Sequence, residues 1–71
     1  MTPVLGTVVE FDEHRGLGVI EGDDGERYPF HCTRIADGSR VVPEGARVEF
    51  TVMAGPAGRW EADAIASAPS A

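Results

Sequence analysis

Lysine is absent from this chain of 71 residues, whose six basic residues are all arginines: Arg15, Arg27, Arg34, Arg40, Arg47 and Arg59. Twelve acidic residues outnumber them and leave a net charge of −6. Such a chain is repelled by polyanions at long range, which excludes capture of nucleic acid by overall charge and leaves that task to local patches. Arginine in place of lysine suits planar recognition of phosphates and bases; it is also what GC-rich codon usage produces. Cysteine occurs once, at Cys32, which excludes an internal disulfide framework. A small domain without staples depends on its core alone, which suits a reducing cytosol, so a cytoplasmic location is expected. No apolar run approaches the roughly 20 residues of a membrane span, and no basic-then-apolar leader opens the chain; no membrane association is expected.

The constellations of an enzyme are missing as well. There is no Ser-His-Asp arrangement, no phosphate loop and no carboxylate pair placed for a cavity. Gly16-Leu17-Gly18 is too short for a nucleotide fingerprint and opens a strand rather than a helix. No catalysis and no cofactor are expected. Zinc needs four ligands, usually in paired spacings, and Cys32 with His14 and His31 does not supply them; Cys32 reads instead as an inert packed thiol. Glu21, Asp23, Asp24 and Glu26 lack the spacing of a calcium loop and read as a solvated hairpin tip.

What remains is a β pattern. A chain this short buries only about 60% of its unfolded surface, enough for one thin core and one domain. Apolar alternation or β-rich composition marks residues 6–11, 16–20, 27–32, 46–53 and 60–65 as strands. Turn residues separate them, most clearly at 12–16, 22–25 and 54–58. The long connection 33–45 has no sustained helical stripe and admits at most one short turn, at 33–36. Residues 67–71 are small and polar, the composition of a frayed tail, so the domain is expected to occupy 1–66 and the tail 67–71. Five strands with one long crossing loop fit a closed or nearly closed all-β barrel, a five-stranded antiparallel barrel of OB type, with an SH3-like barrel as the alternative of similar strand count. Val8, Ile20, Tyr28, Phe30, Ile35, Val48, Phe50, Val52 and Ile65 form the expected core. Pro29, unable to donate to a ladder, requires an edge strand or a bulge.

The order of these residues resembles the cold-shock domain, an OB-type family that binds single-stranded RNA and DNA. Gly6-x-Val8-x-x-Phe11 is similar to the opening strand of that family. Arg15-Gly16-Leu17-Gly18-Val19-Ile20 is similar to its first RNA-binding motif, and Tyr28-Pro29-Phe30-His31-Cys32 stands where its second belongs. Ile35, Glu44-Gly45, Val48-x-Phe50, Gly58 and Ala62-Asp63-Ala64-Ile65 continue the pattern, so that the likeness covers about residues 4–66. The resemblance implies a single-stranded nucleic-acid partner, met through phosphate contacts at Arg15 and Arg40 and base-face contacts at Leu17, Val19, Pro29 and His31. Arg27, Arg34 and Arg59 are expected nearby.

The chain departs from the family on the face that does the work. Glu10 stands where the family usually has tryptophan, Leu17 and Val19 replace two phenylalanines, Pro29 and Cys32 replace two more, and Ser39 replaces another ring in the long loop. Stacking contributes about 1–3 kcal/mol per base, so losing three or four platforms removes on the order of 4–8 kcal/mol. The resemblance therefore implies weak, salt-sensitive binding with an RNA-chaperone or regulatory role. The alternative is a module that has lost nucleic-acid binding and meets a protein partner, or a second copy of itself, through an apolar face of Val9, Leu17, Val19 and Pro29. Trp60 has no counterpart in the pattern; it reads as core or rim packing or, if exposed, as a displaced stacking platform.

Overall fold

Strand β1, Val4–Asp12, alternates at its start, turning Gly6 and Val8 inward and Leu5 into solvent, and then breaks step to leave both Val9 and Glu10 exposed. The structure, a computed structural model, describes residues 3–68. Strand β2, Leu17–Gly22, buries Gly18, Ile20 and Gly22; β3, Arg27–His31, buries Tyr28 and Phe30. A 3₁₀ turn at Cys32–Arg34 begins the long crossing, which leads to β4, Arg47–Ala54. A second 3₁₀ turn, Pro56–Gly58, then reverses the chain into β5, Trp60–Ser67. The expected elements are thus all present, with shifted ends. Gly16 falls outside β2 because it adopts a left-handed φ of 66° at the turn. Cys32 leaves β3 for the 3₁₀ turn, so that turn starts one residue earlier than 33.

All ladders are antiparallel, in the order β3-β2-β1-β4-β5. The two end strands come together, so the sheet curls into a barrel whose edges are largely hidden. Pro29 lies on β3, an end strand of that order, where the missing donor costs no central ladder bond. The crossing loop is pinned to β5 by the Ala36 N–H donating to the Ile65 carbonyl at 2.8 Å. Strand β5 runs past the expected domain end: Ser67 pairs with Val48, and the Ala68 N–H donates to the Arg47 carbonyl at 3.0 Å. Ser67 therefore belongs to the sheet rather than the tail, Ala68 is tied to its edge, and 69–71 lie outside the described residues.

Two bulges shape the barrel. One breaks the β1–β2 register between Val8 and Glu10. The other lies in β5, between Asp63 and Ala66 opposite Thr51 and Glu49 of β4, where Ala64 takes a φ of 50°. Such insertions bend a strand and re-aim its side chains.

The core comprises Val8, Ile20, Tyr28, Phe30, Ile35, Val48, Phe50, Ala62 and Ile65. Burial of each large side chain stabilises the fold by roughly 1.5–3 kcal/mol. Val52, expected inside, is only half-buried near the end of β4, while its ladder partner Ala62 is fully enclosed. Two anchors hold the β2–β3 hairpin. Arg47 donates from both terminal nitrogens to the two Asp23 oxygens at 2.8 Å, which holds the Asp23 carboxyl below its usual range. The Tyr28 hydroxyl donates to Asp24 at 2.7 Å, lowering the Asp24 carboxyl and, with burial, pushing the phenol up to about 12.

Candidate nucleic-acid interface

Gly18 sets the geometry of the outer face. A Cβ built there would stand 2.5 Å from Phe30 Cζ and 2.9 Å from the Glu10 carbonyl oxygen, so no side chain fits. The Phe30 ring occupies that space and stacks on Phe11 with centroids 6.0 Å apart. With Gly18 and Ile20 turned inward, Leu17 and Val19 emerge on the solvent side. The ladders then place Leu17 opposite His31, Val19 opposite Pro29, and Glu10 opposite Val19. Directly paired residues hold their Cβ atoms about 5 Å apart. Three strands thus present Glu10, Leu17, Val19, Pro29 and His31 as one continuous patch.

The bulge in β1 is what puts Glu10 there. Uninterrupted alternation from Val8 would turn Glu10 inward and Phe11 outward. The extra residue reverses both, sending Phe11 to pack against the core and Glu10 beside Val19. Val9, at the bulge itself, is 36% exposed and is not among the residues that line the groove.

These residues floor a groove of about 480 Å³, a size at which small-molecule sites are common and an unpaired base finds room. Its walls carry Asp12 and Arg15 from the β1–β2 turn and Arg59 and Glu61 from the start of β5. The turn is tied at its base: the Gly16 N–H donates to the Asp12 carbonyl at 2.8 Å, and the Arg15 N–H to the Asp12 carboxylate at 3.2 Å. His31 is oriented by Thr33, whose backbone N–H donates to Nδ1 at 3.2 Å. The Thr33 hydroxyl lies 2.9 Å from the same Nδ1. Cys32 is half-buried, with Sγ close to the space a Gly16 side chain would fill.

Of the six residues the sequence nominates, the structure gathers Arg15, Leu17, Val19, Pro29 and His31 around one groove. Arg40 is not among the residues lining it; it sits on the long crossing with a φ of 62°. Among the described residues, ion pairs engage Arg27 with Glu21, Arg34 with Asp63 and Arg47 with Asp23, whereas Arg15 and Arg59 enter none. Arg34 thus pairs with Asp63, and Arg59, expected nearby, lines the groove. Sequence reasoning missed Asp12 and Glu61 because they reach the site through barrel closure and turn geometry, which no local pattern encodes. Trp60 does not pack into the core or rim; it is 61% exposed.

The sequence profile of the 'Cold-shock' DNA-binding domain matches residues 4–67. The chain is 37% identical over 68 residues to the cold shock-like protein CspE of Escherichia coli K12, covering 93% of this chain and 99% of that protein. It is 42% identical over 55 residues to the cold shock-like protein CspA of Stigmatella aurantiaca, covering 75% and 81% of the two chains. A cold shock-like protein CspC of Bacillus cereus is 34% identical over 61 residues, covering 84% of this chain and 94% of its own.

Proposed function

Because this chain belongs to the cold-shock domain family, we propose that it binds single-stranded RNA or DNA along the β1–β2–β3 face, weakly and with a measurable salt dependence, in an RNA-chaperone or regulatory role. One observation carries the reading: a single groove brings the apolar surfaces of Leu17, Val19 and Pro29 and the planar ring of His31 together with the cations of Arg15 and Arg59, which are unpaired among the described residues. Apolar side chains cover base faces, though less effectively than rings, and arginine contacts phosphates or stacks on bases. Glu10, Asp12 and Glu61 in the same groove offset the two cations, so attraction is local and modest. The domain works as a binding module, with no catalytic step and no cofactor assigned to it. Among the described residues no helix is long and apolar enough to cross a membrane, and the single free cysteine accords with a cytoplasmic setting.

Two phosphate contacts, at Arg15 and Arg59, give a slope of about −1.4 in log K against log salt for a single strand, a fall of about sevenfold between 50 and 200 mM. Fluorescence anisotropy of labelled oligo-dT and oligo-U at those two salt concentrations tests this. No binding at high micromolar protein and low salt would overturn it. A second reading draws on Leu17, which at 42% exposure leaves an apolar side chain open on the same face. In that reading Leu17, Val19 and Pro29 dock a protein partner or a second copy, and a dimer seen by light scattering would dissociate on Leu17→Asp.

A further inference from the structure

We infer that Trp60 forms a second stacking subsite, which carries the same single strand across the junction of β3 and β5 and receives one more unpaired base. This rests on the proposed nucleic-acid reading and extends it to a part of the surface that the family pattern does not reach. Tryptophan is highly buried on average in folded chains, yet this one, at the first position of β5, is 61% exposed. It lines a groove of about 420 Å³ together with Glu26, Arg27, Tyr28, Pro29 and Arg59. Pro29 and Arg59 also line the main groove, so the two depressions adjoin across these residues. A strand leaving the Val19–Pro29 floor toward Trp60 passes Arg59, a cation without a carboxylate partner among the described residues, and meets Arg27, paired with Glu21, beyond it.

The platform is held in place before any ligand arrives. Trp60 pairs with Ala54 in the β4–β5 ladder, and the Gly55 N–H donates to the Arg59 carbonyl at 2.6 Å. Binding therefore does not have to order the backbone beneath the ring. A face that lacks rings at 10, 17 and 19 regains one indole from an unexpected direction. Every base has a π-face, so the subsite adds affinity with little sequence preference. The wall shared with the main groove and the Arg59 cation set in it favour a nucleic-acid strand here over a protein surface.

Trp60 is the sole tryptophan of the chain, so its emission reports on this subsite alone. Labelled oligo-dT and oligo-U are titrated with protein while anisotropy and, on unlabelled strands, tryptophan emission are followed. The expected result is quenching of Trp60 that tracks the anisotropy curve. Trp60→Ala should weaken binding about 5- to 150-fold, the equivalent of one lost stacking contact, while Trp60→Phe keeps most of the affinity. A strand that raises anisotropy but leaves Trp60 emission unchanged would overturn the subsite alone, as would a folded Trp60→Ala variant binding like the parent. Emission that changes with protein concentration in the absence of any strand would reassign Trp60 to self-association and refute the subsite. Absence of all binding by the parent protein would remove the subsite together with the nucleic-acid reading.

Discussion

Restoring two rings to the outer face should strengthen binding, and the structure sets the size of the gain. Leu17 is 42% exposed opposite His31, and Val19 is half-buried opposite Pro29. Neither contributes to the buried core, so Leu17→Phe with Val19→Phe changes the wet surface and leaves the interior intact. A stacked base gains about 1–3 kcal/mol from an aromatic partner. Leucine and valine already cover a base face in part; crediting them with half of the midpoint leaves a net gain of about 1 kcal/mol per position. For the pair, about 2 kcal/mol corresponds to a Kd roughly 30-fold lower. The assay is anisotropy of labelled oligo-dT at about 50 mM salt, with circular dichroism to establish that the variant is folded. The salt slope should not change, because no charge is altered. A folded double variant that binds no tighter than the parent would refute the reasoning, since bases would then not lie on the Leu17–Val19 surface at all.

Gly18→Ala should lower Tm by roughly 5–20 °C in a thermal melt, because overpacking costs about 1–3 kcal/mol and each kcal/mol shifts a domain this small by about 4–8 °C. The new Cβ collides with the buried Phe30 ring and with the Glu10 backbone, neither of which is free to yield, whereas Gly25→Ala meets nothing within 4 Å and should cost only its positive φ; equal melting of the Gly18 variant and the parent would contradict this packing. Arg15→Ala and Arg59→Ala should each flatten the salt slope by about 0.7, while Arg40→Ala leaves it unchanged, as salt titrations of anisotropy will show. On the acid side, Asp23 and Asp24 have carboxyls held below their ordinary value by Arg47 and Tyr28, so their stabilisation is present above pH 4 or so and is lost as pH falls through the folded values. On the alkaline side, Tyr28 keeps its proton up to about 12, so stability is full below about pH 10 and declines between those values. Tyr28→Phe should abolish the alkaline decline in Tm-against-pH curves and shrink the acid one; an unchanged alkaline limb would exclude the Tyr28–Asp24 contact as its source.

The barrel was legible in the sequence because its strands alternate cleanly and its turns are rich in glycine and aspartate. Val48, Phe50 and their neighbours announce one buried face, and the pattern is dense enough that the five strands differ from expectation only at their ends. Local register was harder to read. The outward placement of Glu10 depends on a bulge, whose trace in the sequence is that Val8 and Phe11 both face inward at an odd spacing. Ala62 escaped the expected core because alanine is equally common inside and outside, while Val52 was credited for its side chain rather than for its position near a strand end. The site was half legible. Residues adjacent on β2 and β3 follow from alternation, but Arg59 and Glu61 reach the groove, and Trp60 the depression beside it, through contacts between the first-half and last strands, and such closure leaves no mark in a linear pattern. Arg40 shows the converse: matching a motif position did not bring it to the groove lining.

The meeting of β3 and β5 has a mechanical consequence. Among the described residues no ladder joins these strands, and Pro29 withdraws one donor from the β3 side. A cylinder laced on four sides and left unlaced on the fifth should breathe along that slit. Amides of β3 and β5 facing one another are then expected to exchange with deuterium ahead of those between β1 and β2. Pro29 and Arg59, which line the proposed binding surface, sit beside the slit. A strand lying across it would act as a clasp, so slower exchange there on adding oligonucleotide is the signature of a ligand that closes the barrel as it binds.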